Sequence, residues 1–288
     1  GLRRGQTILA LNGREVAGLT FGEARALIDA REGAPNVFRV QNPSGSVQEI
    51  TVAPGPVVEP PLETEILPGN IGLIRFYGFD GGEAGTRQVR LMREALEQFE
   101  SQGVVGWLID VRANPGGSLA TTNDMLDLFV ESGRLYGQVS RGSSPEFMSA
   151  GRAALPFQRP VVILVGPVSA SGSEIMAGAL QARGRAVVVG ETSAGCIGSF
   201  INGTGLLDGS VLRVTNSEVV VGPDALRLHR IGVTPNVEVP APTPEDDEAG
   251  RDPQVEAAAS VLRQLTGPTP MPVPAARIGG PRTAVVTQ

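Results

Sequence analysis

The sequence predicts an α/β fold that follows a small β-rich unit. From about residue 70 onward, short apolar runs alternate with amphipathic stretches of helix length, a pattern typical of strands alternating with helices. Two of these runs, Val104–Val111 and Val161–Val165, are apolar on both faces, as strands of a covered parallel sheet are. Residues 1–54 instead carry short strand-like runs separated by turn signals.

Within the first unit, Thr7–Leu11 is a predicted strand that Asn12-Gly13 closes with a tight turn. Thr20 to Ala30 places its apolar residues on one helical face, with Thr20 as the N-cap. Val37–Val40 and Gln48–Val52 follow as strands.

The larger unit is predicted to contain strands and helices in alternation. The predicted strands are Ile71–Phe76, Val104–Val111, Val161–Val165, Ala186–Val189, Val211–Thr215 and Glu218–Val221. The predicted helices are Ala84–Gln102, one from Gly117 to about Val130, Ser171–Ala182 and Asp252–Leu265, and residues 241–252 are predicted as an acidic loop.

Composition excludes several classes of protein. A chain of 288 residues with 41% hydrophobic and 19% charged residues is long and apolar enough to fold. A net charge of −6 and the lack of an Arg-rich stripe argue against nucleic-acid binding. No apolar run approaches the ~20 residues of a membrane span. One cysteine excludes an internal disulfide, and Gly1 opens inside what we interpret as a domain, so we expect the natural N-terminus upstream.

The segment Val161–Glu174 predicts a buried strand, a sharp turn and the start of a helix. That geometry exposes a side chain at the edge of a sheet, beside helix N–H groups that favour developing negative charge. Ser171 is the candidate nucleophile on this turn. The alternative is structural: Ser171 and Glu174 form an S-x-x-E capping box, so Ser171 could simply cap its helix.

A second segment, Asp110–Gly117, follows the preceding buried strand and ends in Asn-Pro-Gly-Gly. Gly116 and Gly117 would let main-chain N–H groups approach a substrate closely, as an oxyanion hole requires. An ordinary turn between a strand and a helix is the alternative, because Asn, Pro and Gly favour turns for backbone reasons.

Together, and in this order, the two segments resemble those of the S41 family, the carboxyl-terminal processing or tail-specific peptidases. The family's D-x-R-x-N-P-G-G pattern is present as Asp110–Gly117, and its S-A-S-A-S-E-I segment as Ser169–Ile175. Ile231–Val239 is similar to its G-x-x-P-D-x-E-V strand, with Asn236 in place of Asp. Gly1–Gly5 with Ile8–Gly13 resembles the middle of a PDZ domain.

The resemblance implies a crotonase/ClpP-like β-α core and a domain order. We expect a partial PDZ-like domain, a linker, a serine peptidase core, a C-terminal helix and a disordered tail, at residues 1–54, 55–66, 67–245, 246–266 and 267–288. It also implies polypeptide substrates with unstructured C-terminal segments, no cofactor or metal, and a location outside the cytoplasm. Ser171 would be the nucleophile, with Gly172 and Gly116 or Gly117 donating to the oxyanion, while Ser169 and Ser173 would be loop and cap residues.

The catalytic base is where the sequence departs from the family. The lysine subgroup places its base at position 196, where Cys196 stands, and arginine accounts for all 24 basic Lys+Arg residues. Arginine cannot act as a base, and a neutral thiol with a pKa near 8.5 is a poor one. We expect Cys196 to pack as a small apolar residue.

Two other sources of a base stay open. A tricorn-like branch of the family resembles Ser–His–Glu enzymes, with its histidine before the PDZ domain, which here would lie upstream of Gly1. Alternatively His229, the only histidine, could accept the Ser171 proton, oriented by a carboxylate such as Glu191. The structural alternative is that His229 is an ordinary strand or loop residue beside two arginines.

Three functions are compatible with these sequence features. The first is a serine endopeptidase acting through an acyl-enzyme on Ser171. The second is a pseudopeptidase that keeps the fold and binds peptides without cleaving them. The third, another crotonase-like acyl-transfer enzyme, is disfavoured by the PDZ-like segment.

Overall fold

The computed structural model describes residues 1–3, 5–29, 33–55, 60–140, 142–151, 154–156, 159–200, 204–212 and 214–267. The strands are β1 (Thr7–Leu11), β2 (Arg14–Glu15), β3 (Asn36–Gln41), β4 (Val47–Val52), β5 (Glu63–Leu67), β6 (Ile71–Arg75), β7 (Gly106–Asp110), β8 (Arg134–Ser140), β9 (Glu146–Ser149), β10 (Val161–Val165), β11 (Ala186–Gly190), β12 (Gly198–Phe200), β13 (Thr204–Gly205), β14 (Val211–Leu212), β15 (Thr215–Val221), β16 (Leu226–Arg227) and β17 (Val237–Glu238). The helices are α1 (Phe21–Asp29), α2 (Gly82–Ser101), α3 (Leu119–Leu126), α4 (Gly172–Ala182), α5 (Pro244–Glu248) and α6 (Pro253–Thr266).

The chain forms two compact units. One comprises residues 1–59 with 242–253, and the other residues 60–241 with those from 254 on. The first unit contains an antiparallel sheet in the order β2-β1-β3-β4. Its turn at Asn12 and Gly13 has φ of 50° and 81°, the left-handed conformation that Asn-Gly hairpin turns adopt. Thr20 caps α1 reciprocally with Glu23, which confirms the predicted N-cap.

One helix in the first unit corrects the prediction for residues 241–252. This segment, expected to be a loop, contains α5, which begins after a capping box between Thr243 and Asp246 with Pro244 in the first turn. Gly250, at φ 66°, follows its end, as a C-terminal glycine does. The predicted helix Asp252–Leu265 is confirmed by α6, which begins at Pro253, whereas the expected bounds 246–266 for the C-terminal helix start too early.

The second unit is built on a six-stranded sheet in the order β17-β11-β10-β7-β6-β5. All neighbours in it are parallel except β5, which is antiparallel to β6. Every residue of β7, β10 and β11 is buried, which confirms the strands predicted from continuous apolar runs. The prediction of an α/β core is confirmed by this arrangement.

Helices cover both faces of this sheet. On one face, α2, α3 and α4 contribute to a core cluster that includes the buried Trp107 and Phe129. On the other face, α6 packs Ala258 and Leu262 into a second cluster with Leu108 and Leu164. Burying both faces leaves the sheet's edges, where the loops emerge, as the places open to ligands.

A second sheet in this unit has the order β12-β15-β8-β9, with β16 also paired to β15. Its β8–β9 hairpin was not predicted, because β8 mixes buried and exposed residues and β9 is mostly exposed, so neither shows a clear apolar run. The helix predicted to reach Val130 ends at Leu126. Beyond it the chain turns through i→i+3 hydrogen bonds at Leu128 and Phe129.

The remaining predictions concern connecting segments. β5 begins at Glu63, inside the predicted linker 55–66, of which residues 56–59 lie outside the described residues. The predicted disordered tail also lies outside them from residue 268 on. No helix in the described ranges combines the length and apolar character that a membrane span requires.

Candidate active site

Three loops meet at one edge of the large sheet. They follow β7, β10 and β11, which are adjacent in the sheet with β10 in the middle, and all three strands run in parallel. The carboxyl ends of parallel strands lie at the same edge, which is where ligands bind in α/β sheets. These loops contain Gly116 and Gly117, Ser171, and Cys196 respectively.

Ser171 stands on a strained turn between β10 and α4. Its φ of 51° and ψ of −112° fall in a region that residues with a Cβ rarely occupy, at a cost of about 1–3 kcal/mol. A sharp, strained strand-to-helix turn is how nucleophile elbows expose a serine hydroxyl. Ser171 is half-buried, whereas Ser169 and Ser173 are fully buried.

The two neighbouring serines have structural hydrogen bonds. Ser169 Oγ donates to the carbonyl of Val111 at 2.7 Å and accepts from the N–H of Gly166 at 3.0 Å. Ser173 Oγ donates to the carbonyl of Asn114 at 2.8 Å. Both hydroxyls therefore tie the turn to the neighbouring loop and are committed to the fold.

The predicted capping box between Ser171 and Glu174 is present, with its glutamate side the better formed of the two. The main-chain N–H of Ser171 donates to Glu174 Oε2 at 3.1 Å, which is the reciprocal half of a capping box. The Ser171 hydroxyl lies near the N–H of Glu174 but makes no cap hydrogen bond of normal geometry. The backbone at Ser171 also departs from the extended conformation usual for an N-cap.

Gly116 lies against the Ser171 turn. A Cβ at Gly116 would stand 2.7 Å from the Cβ of Ser171 and 2.9 Å from the nitrogen of Gly172, closer than any real contact. Its φ of 104° also disfavours a side chain. A Cβ at Gly172 would meet Thr122 Oγ1 at 2.7 Å. Glycine at position 116 lets the two loops approach this closely, and glycine at position 172 leaves room for Thr122 of α3.

The main-chain donors beside Ser171 are not equivalent. The N–H of Gly116 donates to Asn114 Oδ1 at 2.8 Å. The N–H groups of Gly117 and Gly172, in contrast, have no acceptor in the part of the chain that the structure describes. Of the three glycines, Gly117 and Gly172 therefore retain donors for a ligand.

Glu174 organises the third loop, a role the sequence did not reveal. Its buried carboxylate accepts from Ser193 Oγ at 2.6 Å and from the N–H of Gly195 at 2.7 Å through Oε1, and from the N–H of Cys196 at 2.9 Å through Oε2. Burial raises the pKa of Glu174, and these hydrogen bonds act in the opposite direction. The available signal was that Glu174 is the only acid in α4, whose other residues are mostly apolar.

Cys196 lies next to Ser171, but the expectation that its side chain is packed in the core is wrong. Its carbonyl accepts the N–H of Ser171 at 3.0 Å, and its side chain is exposed. The next residue, Ile197, is buried instead. Both main-chain groups of Cys196 are held toward Ser171 and Glu174, so Ile197 takes the inward position in the core.

His229 lies in a turn attached to the same loop. The N–H of the following residue, Arg230, donates to the carbonyl of Gly195 at 2.7 Å. His229 itself is exposed, and within the described residues no hydrogen bond joins it to Ser171 or Glu191. The turn of His229 therefore lies beside the Gly195–Cys196 loop, but His229 and Ser171 are not hydrogen-bonded in the described structure.

Asp110, the first residue of the glycine-containing segment, is a structural anchor. Arg112 donates to both of its carboxylate oxygens, and Arg75 Nε donates to Oδ2 at 3.0 Å. Burial would raise the pKa of Asp110, but Arg112 and Arg75 outweigh it and hold that pKa below its ordinary value. No cluster of three or more His, Cys, Asp or Glu residues suited to a metal occurs among the described residues.

Comparison with known proteins agrees with this geometry. The Peptidase family S41 model matches residues 70–239, more than half of the chain, and the chain belongs to this family. It is 27% identical over 243 residues to the carboxy-terminal processing protease CtpA of Bacillus subtilis, covering 84% of this chain and 50% of that protein. It is 31% identical over 272 residues to a carboxyl-terminal-processing protease of Synechocystis, covering 91% and 61%.

A solved structure has the same fold. The photosystem II D1 C-terminal processing protease superposes with a TM-score of 0.61 at 23% identity, covering 95% of this chain and 70% of that one. The chain spans about half to three fifths of the length of the two curated relatives.

Proposed function

We propose that this chain is the peptidase part of a carboxyl-terminal processing protease, which cleaves polypeptides through an acyl-enzyme on Ser171. Membership of family S41 supports a peptidase, and the names of the relatives support processing near C-termini. The observation that carries the serine mechanism is the strained conformation of Ser171, pressed against Gly116 at an open edge of the sheet.

In the proposed reaction, Ser171 Oγ attacks the scissile carbonyl carbon while a base takes the hydroxyl proton. The peptide C–N bond then breaks, the amine leaves with that proton, and water releases the acyl group from Ser171. The N–H groups of Gly117 and Gly172 would donate to the oxyanion. We favour Gly117 over Gly116 because the N–H of Gly116 is already bound to Asn114.

The chain contains no lysine that could serve as the base. Cys196 occupies the position of the family lysine, and its main chain is held beside Ser171. We infer that His229 is the best base candidate within this chain, because its turn is bonded to Gly195 and its imidazole is exposed. Histidine is the side chain that most readily accepts a proton near neutral pH.

The substrate and setting follow from the resemblance rather than from the site. We infer unstructured polypeptide segments near C-termini as substrates, and a location outside the cytoplasm. We also interpret residues 1–54 as a partial PDZ-like domain. Its sheet ends in β4, which is largely exposed, and exposed sheet edges accept peptides by β-augmentation.

A fluorophosphonate probe tests the nucleophile directly. The full-length protein should be labelled across pH 6–9, and Ser171→Ala should abolish labelling while Ser143→Ala, at an exposed serine, leaves it unchanged. Labelling that persists in Ser171→Ala would refute the assignment of the nucleophile. A wild-type protein that folds but never reacts would favour the pseudopeptidase.

A further inference from the structure

A cavity lies at the edge of the large sheet opposite to the edge that holds Ser171. It has a volume of about 530 Å³ and is lined by residues that include Arg159, Arg183 and Arg185. Arg185 immediately precedes the amino end of β11, and Arg159 lies two residues before that of β10, whereas the Ser171 and Cys196 loops follow the carboxyl ends of these strands. A five-residue strand spans roughly 17 Å, so this cavity is distinct from the candidate active site.

The three arginines differ in how their charge is balanced. Arg159 is paired with Glu100 through two hydrogen bonds of 2.8 Å. Among the described residues, Arg183 donates only to the carbonyls of Ser132 and Arg134, and Arg185 only to the carbonyl of Phe129 at 3.0 Å. Carbonyl groups satisfy N–H donors but bring no negative charge.

The missing negative charge is most costly for Arg185, because its guanidinium is largely buried. Burial lowers the pKa of Arg185 to about 10, which means that its surroundings disfavour the cation. Of the five N–H donors of a guanidinium, only Nε–H has a protein acceptor, and the buried Nη2 has none among the described residues. The ring of Trp107, 5.9 Å from Cζ, offers only a weak cation–π contact.

Nearby carboxylates do not supply the missing charge. Glu131 is the one acid among the described residues that line the cavity. It is exposed, and no ion pair joins it to Arg183 or Arg185 in the described part of the chain. Two guanidinium groups without counter-ions therefore border a single open space.

We propose that this cavity binds an oxyanion, a phosphate or carboxylate group held by Arg183 and Arg185. The planar fork of a guanidinium matches both groups and binds them through paired N–H donors. The cavity volume lies within the range of small-ligand sites. The proposal does not depend on catalysis by Ser171.

The binding test uses the only tryptophan of the chain, Trp107, as a reporter beside Arg185. The full chain is titrated with sodium phosphate, with sodium acetate and with sodium chloride at matched ionic strength, so that screening is equal. We expect a saturable change in Trp107 emission and a rise in Tm with phosphate, acetate or both, and neither with chloride. A response to phosphate alone assigns a phosphate group, and one to acetate alone assigns a carboxylate.

Variants connect the response to the cavity. Arg183→Gln should raise the apparent Kd at least about tenfold, as expected for losing a charged hydrogen-bond donor, and Arg183→Lys should raise it less. Arg87→Gln, the same charge change at an exposed residue of α2, should leave it unchanged. Equal responses of wild type and Arg183→Gln, or identical behaviour in all three salts, would overturn the proposal.

Discussion

The main-chain N–H of Ser171 donates a hydrogen bond to the carbonyl oxygen of Cys196 at 3.0 Å. The N–H of Cys196 in turn binds Glu174 Oε2, which also accepts from Ser171. Residue 196 makes both of its contacts, to Ser171 and to Glu174, through main-chain atoms. The position of residue 196 beside the nucleophile is therefore independent of its side chain.

This relationship predicts that Cys196→Lys increases the reactivity of Ser171. A lysine there would start from a main chain already held at the nucleophile, and a positioned general base contributes about 10²–10⁴-fold. The rate of fluorophosphonate labelling should rise by about that factor and should increase from pH 7 to pH 9, as more of the amine becomes neutral. Cys196→Met is the matched control, and equal rates in both variants would contradict the prediction.

His229→Gln should slow labelling of Ser171 by about 10²-fold or more if His229 supplies the base. The glutamine keeps a polar side chain of similar reach but cannot accept the proton. Arg227→Gln, at another exposed residue of the same region, should have little effect. Unchanged labelling in His229→Gln would place the base outside this chain or leave Ser171 without one.

Gly116→Ala should reduce the reactivity of Ser171, because the added methyl group would clash with the Ser171 turn. The added Cβ would meet Ser171 and Gly172 below 3.0 Å, so the two loops must separate and the nucleophile must move. We expect labelling to fall at least 10²-fold, since misplacements of about 1 Å have such effects. Gly103→Ala is the control: its φ of 71° carries the same kind of backbone strain, with no atom closer than 3.9 Å. It should cost about 1–2 kcal/mol in stability and retain labelling.

Asp110→Asn should destabilise the second unit in a pH-dependent way. Removing the charge of Asp110 breaks its buried ion pairs with Arg112 and Arg75, and breaking a buried pair costs about 3–5 kcal/mol. Because the folded-state pKa of Asp110 is lowered, its stabilisation is present above the ordinary pKa of about 3.9 and is lost as the pH falls through the lower folded-state pKa.

Urea unfolding of wild type and Asp110→Asn at pH 7, 5 and 3 measures this effect. The difference in free energy of unfolding should persist at pH 7 and 5 and shrink toward pH 3. Glu94→Gln removes an exposed ion pair to Arg90 and should cost less than about 1 kcal/mol at each pH. A constant difference for Asp110→Asn down to pH 3 would disprove the assigned pKa direction.

Local patterns in the sequence were enough to predict much of the second unit. The continuous apolar runs of β7 and β10 can only be satisfied by burial on both faces, and the Asn12-Gly13 turn follows from backbone conformation alone. The order of the Asp110–Gly117 and Ser169–Ile175 segments likewise indicates the family from the sequence alone. The hairpin β8–β9 was not predicted because its residues are partly buried and partly exposed without a regular alternation.

Contacts between segments that are distant in sequence could be found only in the folded structure. Glu174 has the pattern of a capping residue, yet its carboxylate also collects donors from Ser193, Gly195 and Cys196. The exposure of Cys196, and the lack of a carboxylate partner for Arg183 and Arg185 among the described residues, depend on which chain segments pack around them. Local periodicity and motifs were enough to predict most elements of the second unit, the family and the nucleophile candidate. Burial and charge balance are sums over neighbours that only the folded chain brings together.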